Sequence, residues 1–205
     1  MTEANRKVLV WDLPVRIGHW LMVGCFVAAW LTGESEEWRL VHVFAGGAMV
    51  GIALFRVLWG LVGSRYALFV DFLRGPQDAL SYLKSLLGPK PEHYVGHNPA
   101  GGYAIVLLLG LVLVSGASGW LTYQDMGGEW VEELHELAVN LMLVVVLVHL
   151  GGVFIGSLAH RENLVRPMLT GMKSGSATDR IASARPVAAI TLLAWATAVS
   201  WWLSR

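Results

Sequence analysis

Apolar residues run in long blocks along this chain, without the two-residue alternation of half-buried strands. Five blocks read as membrane-spanning helices, at residues 15–33, 41–62, 99–121, 131–158 and 186–203. A bilayer core takes about 20 mostly apolar residues per helix. A soluble amphipathic helix would set a charged face against its apolar stripe, whereas these segments are apolar nearly all round. They are too long, and too rich in Leu, Ala and Met, for strands. No internal repeat of domain-building length stands out. The pattern predicts an all-α integral membrane helix bundle. Between the second and third spans, "RGPQDALSYLKSLLGPKPEHYVGHNP" predicts a short interfacial helix near 77–87, bracketed by prolines. Residues 174–185, "SGSATDRIASAR", read as a flexible linker to the last span.

Composition agrees with a membrane protein. Of 205 residues 55% are hydrophobic and 15% charged, against about 25% charged in ordinary soluble domains. The formal net charge is zero, so no nucleic-acid footprint is visible. Cys25 is the single cysteine; it has no internal disulfide partner, and there is no C-x-x-C-H for covalent haem attachment. The polar start "MTEANRKVLVWDLPVRIGHW" does not resemble a cleaved signal peptide.

Loop charge predicts an orientation. Arg6, Lys7 and Arg16 precede or open the first span. Arg65, Arg74, Lys84 and Lys90 fall between the second and third, and Arg161, Arg166, Lys173 and Arg180 between the fourth and fifth. The opposite side holds only Arg39 and Arg205 as cations, against Glu34, Glu36, Glu37, Asp125, Glu129, Glu132 and Glu133. The positive-inside rule then puts the N-terminus in the cytoplasm and the C-terminus in the periplasm of a bacterial inner membrane.

Histidines carry the candidate chemistry. His135 and His149, fourteen residues apart on the fourth span, lie about 40° apart around the helix and about 21 Å apart along it. Span direction then sets depth. His19 lies at the inner end of the first span and His42 at the outer end of the second. Depth therefore pairs His19 with His149 and His42 with His135. Two pairs at two depths suggest two bis-histidine haems packed between helices. Zinc suits the pattern less well, because it takes about four ligands at one site. His93, His97 and His160 fall in loops or at the interface, where solvated or capping roles are expected.

Certain stretches resemble the bacterial cytochrome b561 family, including the b-type cytochrome subunits of nickel–iron hydrogenases. They are "VWDLPVRIGHW" into the first span, "FRVLWGLVGSRYALF" after the second, "GHNPAGG" into the third and "HRENLVRPMLTGMKSG" after the fourth. The resemblance covers about residues 8–175. It implies a four-helix core with two haem b groups, His19 and His149 holding the cytoplasmic-side one and His42 and His135 the periplasmic-side one. It also implies electron exchange between the quinone pool and a redox partner. The expected division is a di-haem membrane domain at 1–175 and a linker with an extra C-terminal transmembrane helix at 176–205.

Haem propionates need cationic or hydrogen-bonding partners. Arg16, one turn before His19, and Arg56, fourteen residues after His42, are candidates for the inner haem. Gly46, Gly47, Gly116 and Gly119 are candidates for lining the outer one, where small residues let a flat macrocycle approach the backbone. Most of the Trp residues, including Trp11 and Trp59, read as interfacial anchors. The expected function is transmembrane electron transfer, with lipid, quinone and a redox partner such as a periplasmic cytochrome c or hydrogenase-like subunit. The competing readings are a stand-alone superoxide- or quinone-linked oxidoreductase, and a non-redox membrane protein whose histidines relay protons.

Overall fold

Five long helices fill the computed structural model, which describes residues 6–205. The first five residues of the N-terminal stretch discussed above lie outside the described residues. The long helices are α1 (Leu13–Thr32), α2 (Arg39–Val62), α5 (Pro99–Tyr123), α6 (Glu129–His160) and α8 (Pro186–Leu203), each long and apolar enough to cross a membrane. Short helices α3 (Phe69–Phe72), α4 (Pro76–Ser85) and α7 (Arg166–Thr170) fill the connections at one end.

Local chemistry sets where the helices begin. Asp12 caps α1, its Oδ1 accepting the Val15 N–H at 2.9 Å, with Pro14 in the first turn. Asn98 caps α5 in the same way through the Gly101 N–H at 2.7 Å, with Pro99 leading. Such caps satisfy amides that the helix itself leaves free. Prolines are tolerated there because their missing N–H would have no helical partner. The predicted interfacial helix forms as α4, with Leu80 and Leu83 exposed and Tyr82 buried.

Beside the helices the chain forms one short two-stranded ribbon. β1 (Arg6–Leu9) and β2 (Met172–Gly175) pair antiparallel, with Val8 opposite Lys173. The linker reading is corrected here. Residues 177–179 form a 3-10 turn, Ile181 is buried, its N–H donates to the Leu9 carbonyl at 2.9 Å, and the Leu13 N–H donates to Ala184 O. Val8, Val10, Trp11, Val15, Tyr66, Ala67 and Ile181 form one buried cluster around this ribbon. It caps one end of the bundle, called here the capped end. Trp11 is thus a core residue rather than an interfacial anchor.

The fifth helix is built into the bundle. Methyl groups placed on Gly47 and Gly51 of α2 would lie 2.9 Å from Ser200 Cα and 2.8 Å from Ala196 Cα of α8. Missing side chains let the backbones close, as in small-xxx-small membrane contacts. Ser200 Oγ donates to Phe44 O at 2.7 Å and Trp195 Nε1 to Gly51 O at 3.0 Å. Gly47 therefore faces α8 and does not line a histidine site. The outward faces carry exposed Leu31, Leu58, Val62, Leu147, Val148, Phe154 and Val187, as expected where lipid is the solvent.

Candidate functional site

At the end away from the cap, α2 and α6 bring His42 and His135 face to face. Their ring centroids are 6.1 Å apart with planes at 70°. His42 Nδ1 lies 2.9 Å from Ala29 O, and His135 Nδ1 2.8 Å from Ser115 O. A carbonyl only accepts, so each Nδ1 carries the proton and each Nε2 keeps its lone pair. This arrangement fixes tautomer and ring orientation in metal-ligating histidines. Metal–nitrogen bonds of about 2 Å on both sides need centroids roughly 6.4 Å apart, close to the spacing found. A spacing of this size leaves room for one metal between the two imidazoles.

Two glycines bear on this pair. A methyl group on Gly119 would lie 2.7 Å from His135 Cε1, so the glycine makes room for the ring. Gly46 has open space beside it, whereas Gly116 is met by Val50 across the α2–α5 contact.

At the capped end, His19 of α1 and His149 of α6 lie within electrostatic reach of each other. His19 Nδ1 is buried with no hydrogen-bond partner among the described residues. Arg56 is buried as well, and neither Nη1 nor Nη2 has a partner. Its guanidinium lies 5.4 Å from the Phe69 ring centroid and 5.7 Å from that of Phe72. Arg16 behaves differently. It donates through Nη2 to Leu169 O, joining α1 to α7, while its Nε stays buried and unpaired. Buried donors are nearly always satisfied in native proteins. Four unpaired ring and guanidinium nitrogens at one end of a bundle match the needs of a buried acidic group with a metal.

His97 was read as a solvated or capping residue, and the structure corrects this. Its ring is held between Trp11 at 4.4 Å and Phe72 at 4.8 Å, and its Nδ1 is buried without a partner. Burial, followed by the nearby Arg56 charge, pushes its pKa down to about 3. The sequence offered no periodic signal for this, because the aromatic walls come from two other segments. His160 is likewise not merely solvated: its Nε2 lies 3.4 Å from the hydroxyl of the buried Tyr82. His93 lies 3.2 Å from Glu162 near the surface.

Between the two histidine pairs, Met49, Ala53, Leu109, Val112 and Met142 form a buried apolar layer. These features define a class: a five-helix membrane bundle with a histidine pair near each end. Residues 10–171 match the family model for prokaryotic cytochrome b561, and the chain belongs to that family. It is a multi-pass membrane cytochrome that carries haem b and transfers electrons. It is similar to the probable Ni/Fe-hydrogenase B-type cytochrome subunit of Rhodobacter capsulatus, at 24% identity over 82% of each chain. The corresponding protein of Rhizobium leguminosarum bv. viciae is 25% identical, over 82% of this chain and 89% of that relative. The probable Ni/Fe-hydrogenase 1 B-type cytochrome subunit of Escherichia coli (strain K12) is 29% identical, over 44% and 49%. No solved structure matches the chain.

Proposed function

We propose that the chain moves electrons across the membrane between two haem b sites, from a quinone at the capped end to a protein partner at the other, or in reverse. Each haem b, when bound, supplies a one-electron iron couple. His42 and His135 hold the far-end group, and His19 and His149 the capped-end one. Residues 1–175 form this di-haem domain. Residues 176–205 add α8 to its flank. The far-end ring spacing, with both Nε2 lone pairs left free, carries the reading.

The protein's own residues do the rest. Two imidazoles at each site would hold the iron of a bound haem, which would then supply electron transfer rather than oxygen binding. Arg56 and Arg16 offer unpaired nitrogens to the acidic edge at the capped end. Gly46 remains a candidate for approach to the far-end group, whereas Gly116, expected to line it, packs on Val50 instead. The Met49–Met142 layer keeps water out between the sites. An open groove of about 320 Å³ between α1 and α7 at the capped end, lined by Arg16, Ile17, Trp20, Leu21, Met168 and Leu169, is the place this reading gives a quinone head group. The cationic capped end faces the cytoplasm, by the positive-inside rule.

The far end faces the periplasm and carries Glu34, Glu36, Glu37, Glu129, Glu132 and Glu133. It complements a basic patch on a soluble carrier such as a cytochrome c. The chain's similarity to probable Ni/Fe-hydrogenase B-type cytochrome subunits favours a hydrogenase-like subunit as the alternative.

The test is a pyridine-haemochrome count on purified protein and on His135→Ala. Two haems per chain falling to one supports the assignment. One haem in the wild type, or two in the variant, overturns it.

A further inference from the structure

We propose that His97 is a third polar side chain of the capped-end haem site, presenting Nδ1 beside Arg56 to the carboxylate edge of the haem. The proposal rests on the reading that His19 and His149 hold a haem there. It begins from the two rings that clamp His97. Trp11 and Phe72 fix the imidazole plane, and Phe72 also lies beneath the Arg56 guanidinium. His97 and Arg56 therefore both pack against one fully buried phenyl ring. The Tyr66 backbone lies within reach of the His97 ring, and Nδ1 is buried with no hydrogen-bond partner. In the proposed arrangement the ring proton sits on Nε2, towards Tyr66.

The charges facing this imidazole are Arg56 from α2 and Lys173 from β2, with His149 from α6 as the remaining titratable neighbour. Lys173 is buried, with the Tyr94 carbonyl as its hydrogen-bond acceptor at 2.7 Å. Asp12, the carboxylate closest in charge to Arg56, already accepts bonds from Val15, Trp59 and Ser64. Asp71 lies beyond Tyr66, where it pairs with Arg65. Among the described residues, no carboxylate forms an ion pair with Arg56, Lys173 or His97. Asp12 acts on Arg56 and Glu162 on Lys173 only from a distance, and a buried cation without a direct counter-ion is costly. A carboxylate from outside the chain removes that cost, and haem b carries two.

The tautomer sets the consequence. With the ring proton on Nε2, Nδ1 binds a carboxylate only when it too is protonated. A bound carboxylate therefore favours the imidazolium, opposing the burial and the Arg56 charge that keep His97 neutral. Reducing the iron removes one positive charge from the site and strengthens His97's hold on the proton. Each electron delivered then draws up to one proton from water onto Nδ1, and the capped-end potential falls as pH rises. The titratable neighbour of the far-end pair is Glu136, an exposed carboxylate rather than a buried imidazole.

The experiment is a spectroelectrochemical titration of the two-haem protein from pH 6 to 9, with the electrode as electron source and His135→Ala assigning the steps. The capped-end step should shift by up to tenfold in equilibrium constant per pH unit, about 59 mV for one electron. The far-end step should shift less. His97→Gln, which keeps a neutral donor, should flatten the capped-end slope while both haems stay bound. His97→Phe, which fills the aromatic slot, should do the same or lose that haem alone. A wild-type slope equal at both sites, or a slope that survives in His97→Gln and His97→Phe, overturns the proposal. Wild-type protein with fewer than two haems overturns it together with the reading on which it rests.

Discussion

Replacing Asp12 with alanine tests how the capped end is held together. The side chain is fully buried. Its Oδ1 accepts the Val15 N–H at 2.9 Å, and Oδ2 accepts Trp59 Nε1–H at 2.9 Å and Ser64 Oγ–H at 2.5 Å. Losing a helix N-cap costs about 1 kcal/mol. Leaving the buried Trp59 N–H unpaired costs a further ~1–3 kcal/mol. The Ser64 hydroxyl can turn to another acceptor, so its share is small. The expected destabilisation is about 2–4 kcal/mol. Asp12→Asn keeps Oδ1 for the cap but turns an amide N–H₂ towards the Trp59 donor, and should cost about half as much. Trp59→Phe removes the donor with its need, and should cost about 1 kcal/mol beyond the lost packing. The assay is unfolding in mixed micelles by titration with a denaturing detergent, followed by helix circular dichroism. An Asp12→Ala variant within 1 kcal/mol of wild type, or one more stable than Asp12→Asn, would refute the reasoning.

Two further substitutions probe close approaches. Gly119→Val should push the His135 ring from its place, since even a methyl would lie 2.7 Å from Cε1; one haem of two should be lost with helical content unchanged, and a variant retaining both would count against the far-end assignment. Gly51→Leu should wedge α8 from α2, because the obstruction at 2.8 Å is the Ala196 backbone; overpacking of this kind costs ~1–3 kcal/mol, and an unfolding midpoint equal to wild type would show that α8 does not need that contact.

The spans were legible because hydropathy over twenty residues is a long-range average that local detail hardly disturbs. Their predicted ends fall within two residues of α1, α2, α5, α6 and α8. The ribbon was not legible. "RKVL" and "MKSG" carry no alternation of their own, and what pairs them is a contact between segments some 165 residues apart. The same pairing turned a Ser- and Ala-rich linker into ordered chain through Ile181. Gly46 and Gly47 show the limit at single-residue scale. They are adjacent in sequence but about 100° apart around the helix, and only the position of α8 decides which one is buried against backbone. His97 was missed for a related reason: Trp11 and Phe72 make its surroundings, and neither is its neighbour in sequence.

The histidine levels have a simpler origin. On α2, His42, Met49 and Arg56 are spaced by seven residues, and on α6 so are His135, Met142, His149 and Gly156. Seven residues fall about 20° short of two full turns, so each set keeps to one slowly drifting stripe with steps of about 10.5 Å. Both helices enter the bundle from the same end. One contact, His42 with His135, therefore sets the register for the levels that follow. Met49 and Met142 meet in one buried cluster a step later. A further step brings Arg56 and His149 to the level where His97 waits, within electrostatic reach of both. The shared stride thus places an apolar layer midway between two polar ones. In the proposed arrangement that layer has a physical role. It offers no buried donor or acceptor from which a proton could hop, while an electron needs none. Charge would cross the bundle as electrons, and proton exchange would be confined to the capped end, where titratable side chains lead from His160 and Lys173 to His97.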